Sequence, residues 1–255
     1  MRMKIRARLR SVRNKIVGRM LPAGVTAGLN RNDREGALNR AWGHVFTSQI
    51  KGGYYEFGVY EGETFRTSYR VYQGFYRWQR EQLDSPEPWR QKVAAEYSQY
   101  LHHFYAFDSF QGLPENNEGS ATFIPGGFLC SLEQFSNLNR AAGIIPSEAV
   151  RYFEGMFSDV HEREADTLEK LQPAAIVNLD CDLYSSAKDA LAIVGPKLVQ
   201  GSVLLADDWN TFAADGDQGE RKAIKEFEFD HPEISLDPWF SYHYTGQAFL
   251  VQFPK

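Results

Sequence analysis

The stretch Tyr54-Tyr55-Glu56-Phe57-Gly58-Val59-Tyr60-Glu61-Gly62-Glu63-Thr64 runs from an apolar strand through two glycines into the start of a helix. Glycine at such a turn lets backbone pass close to a ligand, and a strand, glycine turn and helix in that order open nucleotide-type α/β folds. The spacing is G-x-x-x-G and not G-x-G-x-x-G, so nothing argues for a pyrophosphate on the helix N-terminus. An S-adenosylmethionine site asks for less. Backbone around Gly58 and Gly62 and the Thr64 hydroxyl can hold its amino-acid end, while Glu56 or Glu61 can supply acid for its sulfonium and ammonium charges. The same letters also suit a plain turn in which the glycines serve tight packing.

Working outward, short apolar strands recur at Tyr54–Phe57, Phe104–Phe107, Val150–Phe153, Ala175–Leu179 and Ser202–Ala206. Helical stretches lie between and after them, around 63–82, 88–101, 131–142, 162–171, 185–195 and 219–229. Five strands alternating with helices predict a doubly wound, mainly parallel sheet with helices on both faces. Two further extended segments, Trp239–Tyr244 and Ala248–Gln252, bring the expected sheet to seven strands. Thr245-Gly246-Gln247 joins them, with Gly246 as the residue of positive φ. Residues 72–101, rich in Trp, Tyr and Arg, read as a helical insertion.

The second strand runs into Asp108-Ser109-Phe110-Gln111-Gly112-Leu113-Pro114. An acid at the end of the strand beside the glycine turn can accept the ribose hydroxyls of a nucleoside, though Asp also caps turns. The fourth strand closes in Asn178-Leu179-Asp180-Cys181-Asp182-Leu183-Tyr184 and the fifth in Ala206-Asp207-Asp208-Trp209-Asn210. Neighbouring strand ends face one crevice, so Asp180, Asp207 and Asp208 offer three hard oxygen ligands, a set that suits Mg²⁺ better than zinc or copper. The alternative makes Asp180 and Asp207 helix caps and pairs Asp208 with a surface base. Asp182 either supports the cluster or caps the helix near Ser185. Phe123–Cys130, followed by the capping-box pattern Ser131-Leu132-Glu133-Gln134, is either a lid or an ordinary loop.

In its bulk properties the chain is ordinary: 255 residues, 43 % hydrophobic, 24 % charged and a net charge of −5. That balance argues against wholesale nucleic-acid binding, and no run approaches the roughly 20 apolar residues of a membrane span. Two cysteines, Cys130 and Cys181, imply no disulfide framework and fit a reducing cytoplasm. The charge is unevenly spread. Eight of the 28 basic residues lie in residues 1–21, before the first acid at Asp33, so the rest sets 20 bases against 33 acids. Ile5, Leu9, Val12, Ile16 and Met20 form one helical stripe beneath that cationic face. Such a helix can lie on an anionic membrane, meet a lipid-linked substrate, pack on a partner subunit of a homo-oligomer, or simply fray. Pro22, Gly24, Gly28 and Asn30–Asp33 read as a linker, which makes residues 1–50 an extension and 51–255 the main domain.

Taken in order, Glu56 to Gly62, Asp108 to Pro114, Gly155-Met156-Phe157, Leu179 to Tyr184 and Asp207-Asp208-Trp209 resemble the macrocin-type O-methyltransferases over roughly residues 52–253. This class I family methylates sugar hydroxyls of macrolides and related glycoconjugates. The resemblance implies methyl transfer from S-adenosylmethionine to a hydroxyl held at a divalent metal. It places cofactor contacts on Glu56, Gly58, Tyr60, Gly62, Thr64, Asp108 and Ser109, and the metal on Asp180, Asp207 and Asp208. Asp180 can combine ligation with proton removal, and His102, His103, His161 and His243 are other candidate bases. Two rivals come from other classes: a metal-dependent phosphoester hydrolase using the same aspartates, and a non-catalytic membrane-associated binding protein.

Overall fold

The protein is described from a computed structural model covering residues 33–118 and 122–254. The basic stripe of residues 1–21 and the linker up to Asn32 lie outside the described residues. Helix α1 (Asp33–Thr47) is followed by β1 (Gly53–Phe57), α2 (Glu63–Glu81) and α3 (Pro88–Tyr97). Next come β2 (Phe104–Asp108), α4 (Leu132–Ala141), β3 (Val150–Glu154), α5 (Phe157–Arg163) and α6 (Ala165–Glu169). The chain continues through β4 (Ala174–Leu179), α7 (Tyr184–Val194), β5 (Leu198–Ala206), α8 (Gly219–Asp230), β6 (Ser235–Tyr242) and β7 (Gly246–Gln252). The seven strands form one sheet in the order β3-β2-β1-β4-β5-β7-β6. Only β7 runs antiparallel to its neighbours.

The central strands are buried from end to end because helices cover both faces, so they read as continuous apolar runs and not as alternation. One face carries Tyr55, Phe57, Phe107, Val177 and Leu179, closed by Ala187 and Leu191 of α7 and by Ile224 and Phe227 of α8. The other carries Tyr54, Phe104, Ala106, Ile176 and Leu205, closed by α1, α2 and α4. On that second face Leu38, Ala41, Trp42 and Val45 of α1 are fully or nearly fully buried, and the Trp42 indole donates to Ser68 Oγ at 2.9 Å. The compact unit thus begins at Arg34, inside the stretch assigned by its composition to an extension. Its apolar stripe was present in the sequence, but glycine, proline and polar residues just before it drew the boundary too late.

Other differences are local. The expected helix over 162–171 is two, α5 and α6, broken at Glu164. The β6–β7 turn is His243–Thr245, and the left-handed residue is His243 (φ 52°), not Gly246. Gly246 is glycine for another reason: a Cβ there would lie 2.6 Å from the Tyr242 ring. Pro238 lies in β6, which is an edge strand and tolerates a missing ladder donor. Among the described residues no helix is long and apolar enough to cross a membrane.

Candidate active site

Parallel pairing brings the C-terminal ends of β1, β2, β4 and β5 to one side of the sheet. Chain order reverses between β1 and β4, which is where doubly wound sheets open a ligand crevice. The glycine turn and the aspartates meet there. Gly58 has φ 85°, and a Cβ on it would lie 1.9 Å from the Asp180 carbonyl oxygen. Gly62 (φ 74°) is held open by the Phe135 ring, 2.5 Å from where its Cβ would be. Both glycines therefore answer to protein packing as well as to whatever ligand passes the turn.

Asp108 ends β2 beneath that turn. Its Oδ2 accepts the amides of Val59 at 2.9 Å and Tyr60 at 3.0 Å, and its Oδ1 accepts that of Phe110 at 2.7 Å. The turn-capping reading is the one these contacts show: three of about four acceptor positions are filled by backbone amides. Burial pushes the Asp108 carboxyl up and the three amides oppose it. The Ser109 hydroxyl is committed locally, donating to Gly112 O at 2.8 Å. Tyr60 is exposed at φ 46° and its ring meets Phe128 of the 123–130 loop edge-on. Thr64 is half-buried in the first turn of α2. Glu56, wholly buried, accepts the Tyr54 hydroxyl at 2.5 Å; burial pushes its carboxyl up to about 8, against that hydrogen bond.

On the other side of Gly58, one carboxylate oxygen from each of Asp180, Asp207 and Asp208 lies within 4.8 Å of the others. Asp207 is buried and its two neighbours are partly exposed. Burial, and then the charge of Asp207, push Asp180 well above the usual carboxylate range, with Arg34 acting against them. Asp208 is raised by the same two causes, and Asp182 is pushed up to about 9 by burial and by Asp208, with which it shares a hydrogen bond. Neither Asp180 nor Asp207 is a helix cap: α7 is capped at Leu183 and α8 at Gln218. Asp182 does not cap α7 either. The free amides of Tyr184 and Ser185 go to Glu118, at 2.7 and 3.1 Å, from the loop after β2.

The counter-charge comes from α1. Arg34 Nε donates to Asp207 Oδ1 at 2.8 Å and its Nη2 to Oδ2, a two-pronged ion pair across 173 residues. Arg34, Glu118 and the buried Glu220 were missed in the sequence, since each is an ordinary charged residue whose partner is set only by the fold. Of the four histidines, His102 and His103 lie at the opposite end of the sheet, just before β2. His102 is buried against Gly52 O and the Tyr97 hydroxyl, and burial lowers it to about 4. His161 is exposed in the last turn of α5. His243 alone reaches the aspartate end, in the turn whose Thr245 hydroxyl donates to Asp207 O at 2.7 Å. Ser131 caps α4 as its sequence predicts, accepting the Gln134 amide at 3.2 Å.

The strand order, the glycine turn after β1 and the acid ending β2 define a class I methyltransferase fold. Two solved structures share it at 19 % identity: the O-methyltransferase NovP, with a TM-score of 0.56 over 86 % of this chain and 79 % of that one, and CalS11, a calicheamicin methyltransferase, with 0.60 over 85 % and 77 %. No curated protein matches the sequence. The profile of the macrocin-O-methyltransferase (TylF) family matches residues 91–237, more than half of the chain. The protein belongs to that family and is an S-adenosylmethionine-dependent O-methyltransferase.

Proposed function

We propose that the protein methylates a hydroxyl of a sugar or glycosylated natural product, with a divalent cation, Mg²⁺, held by Asp180, Asp207 and Asp208. The observation that carries this reading is the convergence of three carboxylate oxygens within 4.8 Å, beside the cofactor turn and with no histidine or cysteine in the cluster among the described residues. Such a hard, all-oxygen set fits Mg²⁺ or Mn²⁺. The sugar acceptor is supported by the likeness to CalS11, whose apo structure is described as a TDP-rhamnose 3'-O-methyltransferase.

When bound, the cation supplies positive charge that lowers the acceptor hydroxyl's pKa and fixes its oxygen. The chain's own residues do the rest. The turn at Gly58–Gly62, with Glu56, Tyr60 and Thr64, binds the amino-acid end of S-adenosylmethionine, and Asp108 with Ser109 holds the nucleoside side. Asp180, whose backbone touches Gly58, stands between cofactor and acceptor and takes the hydroxyl proton. Positioning of the hydroxyl in line with the departing sulfur is the main contribution expected of the crevice. The test is methyl transfer to a panel of nucleotide sugars and glycosides, with and without chelator. Activity lost in chelator and restored by Mg²⁺ or Mn²⁺ is expected; full transfer by a protein shown to be metal-free would overturn the metal mechanism.

A further inference from the structure

Glu220 is a buried carboxylate at this end of the sheet that neither half of the site has used. It lies in the first turn of α8, is 0 % exposed, and its Oε2 accepts the backbone amide of Asp208 at 3.0 Å. Its Oε1 is buried and has no partner. Burying an acid against three aspartates is costly, and a leucine or methionine at this helix position would fill the space without that cost. The contact with Asp208 is what an apolar side chain cannot supply.

The neighbouring residue makes the other half of a grip. Arg221 Nε donates to Trp209 O at 2.7 Å and its Nη2 to Asn210 Oδ1 at 2.6 Å, with the guanidinium 4.5 Å from the Trp209 ring. Consecutive residues of α8 thus hold the backbone of consecutive residues of the 207–210 corner, Glu220 taking the Asp208 N–H and Arg221 the Trp209 C=O. Thr211 completes it, its hydroxyl donating to Asp208 Oδ1 at 2.9 Å. Its amide is fixed by Glu220 and one oxygen by Thr211, and the Asp208 carboxyl, which also meets Asp182, faces Asp180 and Asp207 in that orientation.

We infer that Glu220 is a positioning residue of the metal-binding corner: by accepting the Asp208 amide it sets the angle at which the Asp208 carboxylate enters the crevice. This rests on the metal reading above, and the role belongs to the hydrogen bond and not to the negative charge. Two variants separate these. Glu220→Gln keeps an acceptor for the Asp208 amide and removes the charge; Glu220→Ala removes both.

The experiment measures Mn²⁺ affinity by electron paramagnetic resonance, S-adenosylmethionine affinity by calorimetry and thermal melting, on the wild type and both variants. Expected are Mn²⁺ binding within about threefold of wild type for Glu220→Gln and at least about tenfold weaker for Glu220→Ala, the scale on which loss of an outer partner weakens a metal site. Cofactor affinity should stay within about twofold of wild type in both. Glu220→Ala that melts early yet binds Mn²⁺ normally would reduce the residue to a structural role and overturn the inference. So would an equal loss in both variants, which would assign the effect to charge. If Glu220→Ala does not fold, a tenfold loss in Glu220→Gln alone still overturns it. Wild-type protein that binds no Mn²⁺ would sink the metal reading itself, an outcome distinct from wild-type binding that the variants leave unchanged.

Discussion

The two sides of the crevice are built on opposite principles. On the proposed cofactor side, Asp108 is met by three backbone amides, from Val59, Tyr60 and Phe110, none more than 49 residues away. Amides cannot swing out or be exchanged, so this side is finished before any ligand arrives. On the proposed acceptor side, Asp180, Asp207 and Asp208 crowd together, and the principal relief is the single side chain of Arg34, 40 % exposed, reaching in from α1. Its electrostatic balance depends on what occupies it. The contrast teaches that donor binding and acceptor activation should fail separately.

The largest expected failure is on the acceptor side. Asp207→Asn should cut turnover by more than the roughly 10–100-fold that loss of an outer-shell partner costs, while S-adenosylmethionine affinity stays near wild type. Radiolabel transfer and calorimetry on one preparation would check both; parallel losses would erase the division between the two sides. Next comes the cofactor side. Asp108→Ala should weaken S-adenosylmethionine by about 1.5–3 kcal/mol, roughly 10–150-fold in Kd, because a charged acceptor is lost. Unchanged affinity would move the nucleoside contact elsewhere.

Stability sharpens the comparison further. Arg34→Ala strips Asp207 of its partner and should cost about 1–3 kcal/mol in the metal-free protein, less than a fully buried pair because Arg34 is part-exposed. Added Mg²⁺ should reverse most of that loss of Tm, if cation and guanidinium answer to the same charge; a loss that Mg²⁺ leaves untouched would break the argument. The last effect is spread over several pH units and concerns Glu56, raised by burial from 4.5 to about 8. A carboxyl raised on folding contributes stability that is complete below its unfolded pKa and lost as pH climbs through the folded one. Glu56→Gln should therefore flatten the decline between about pH 4.5 and 8 by at most about 1.4 kcal/mol per pH unit. Identical slopes in melting series of the two proteins would show that Glu56 does not titrate there.

What the sequence made legible follows the same division. Strands β1, β2, β4 and β5, the turn at Gly58–Gly62 and the positions of Asp108 and the three aspartates at strand ends could be read because each is written locally, an apolar run ending in a polar signature. The sheet order and the meeting of Asp180 with Gly58 follow from that pattern once parallel pairing is assumed. Arg34, Glu118 and Glu220 were illegible for the complementary reason. Each is one charged residue among many, with nothing beside it to mark its partner 12, 66 or 173 positions off. Helix α1 failed differently: its stripe of Leu38, Ala41, Trp42 and Val45 is clear, but it follows breaker residues and was assigned to an extension. The His243–Thr245 turn shows a limit of reading glycines by habit, since Gly246 makes room for a tyrosine and leaves the left-handed geometry to histidine.

The missing side chain at Gly58 has a further implication for how such an enzyme can change. Because the first strand's turn rests directly on the Asp180 peptide, the proposed donor and acceptor sides are separated by one close backbone contact. A lineage adapting to a bulkier or differently shaped acceptor cannot adjust that spacing without abandoning the glycine. It can only remodel the walls: the loop after β2, the segment between β5 and α8, and the start of α1 around Arg34. Diversity of acceptors should accumulate in those three places, around a joint that stays the same.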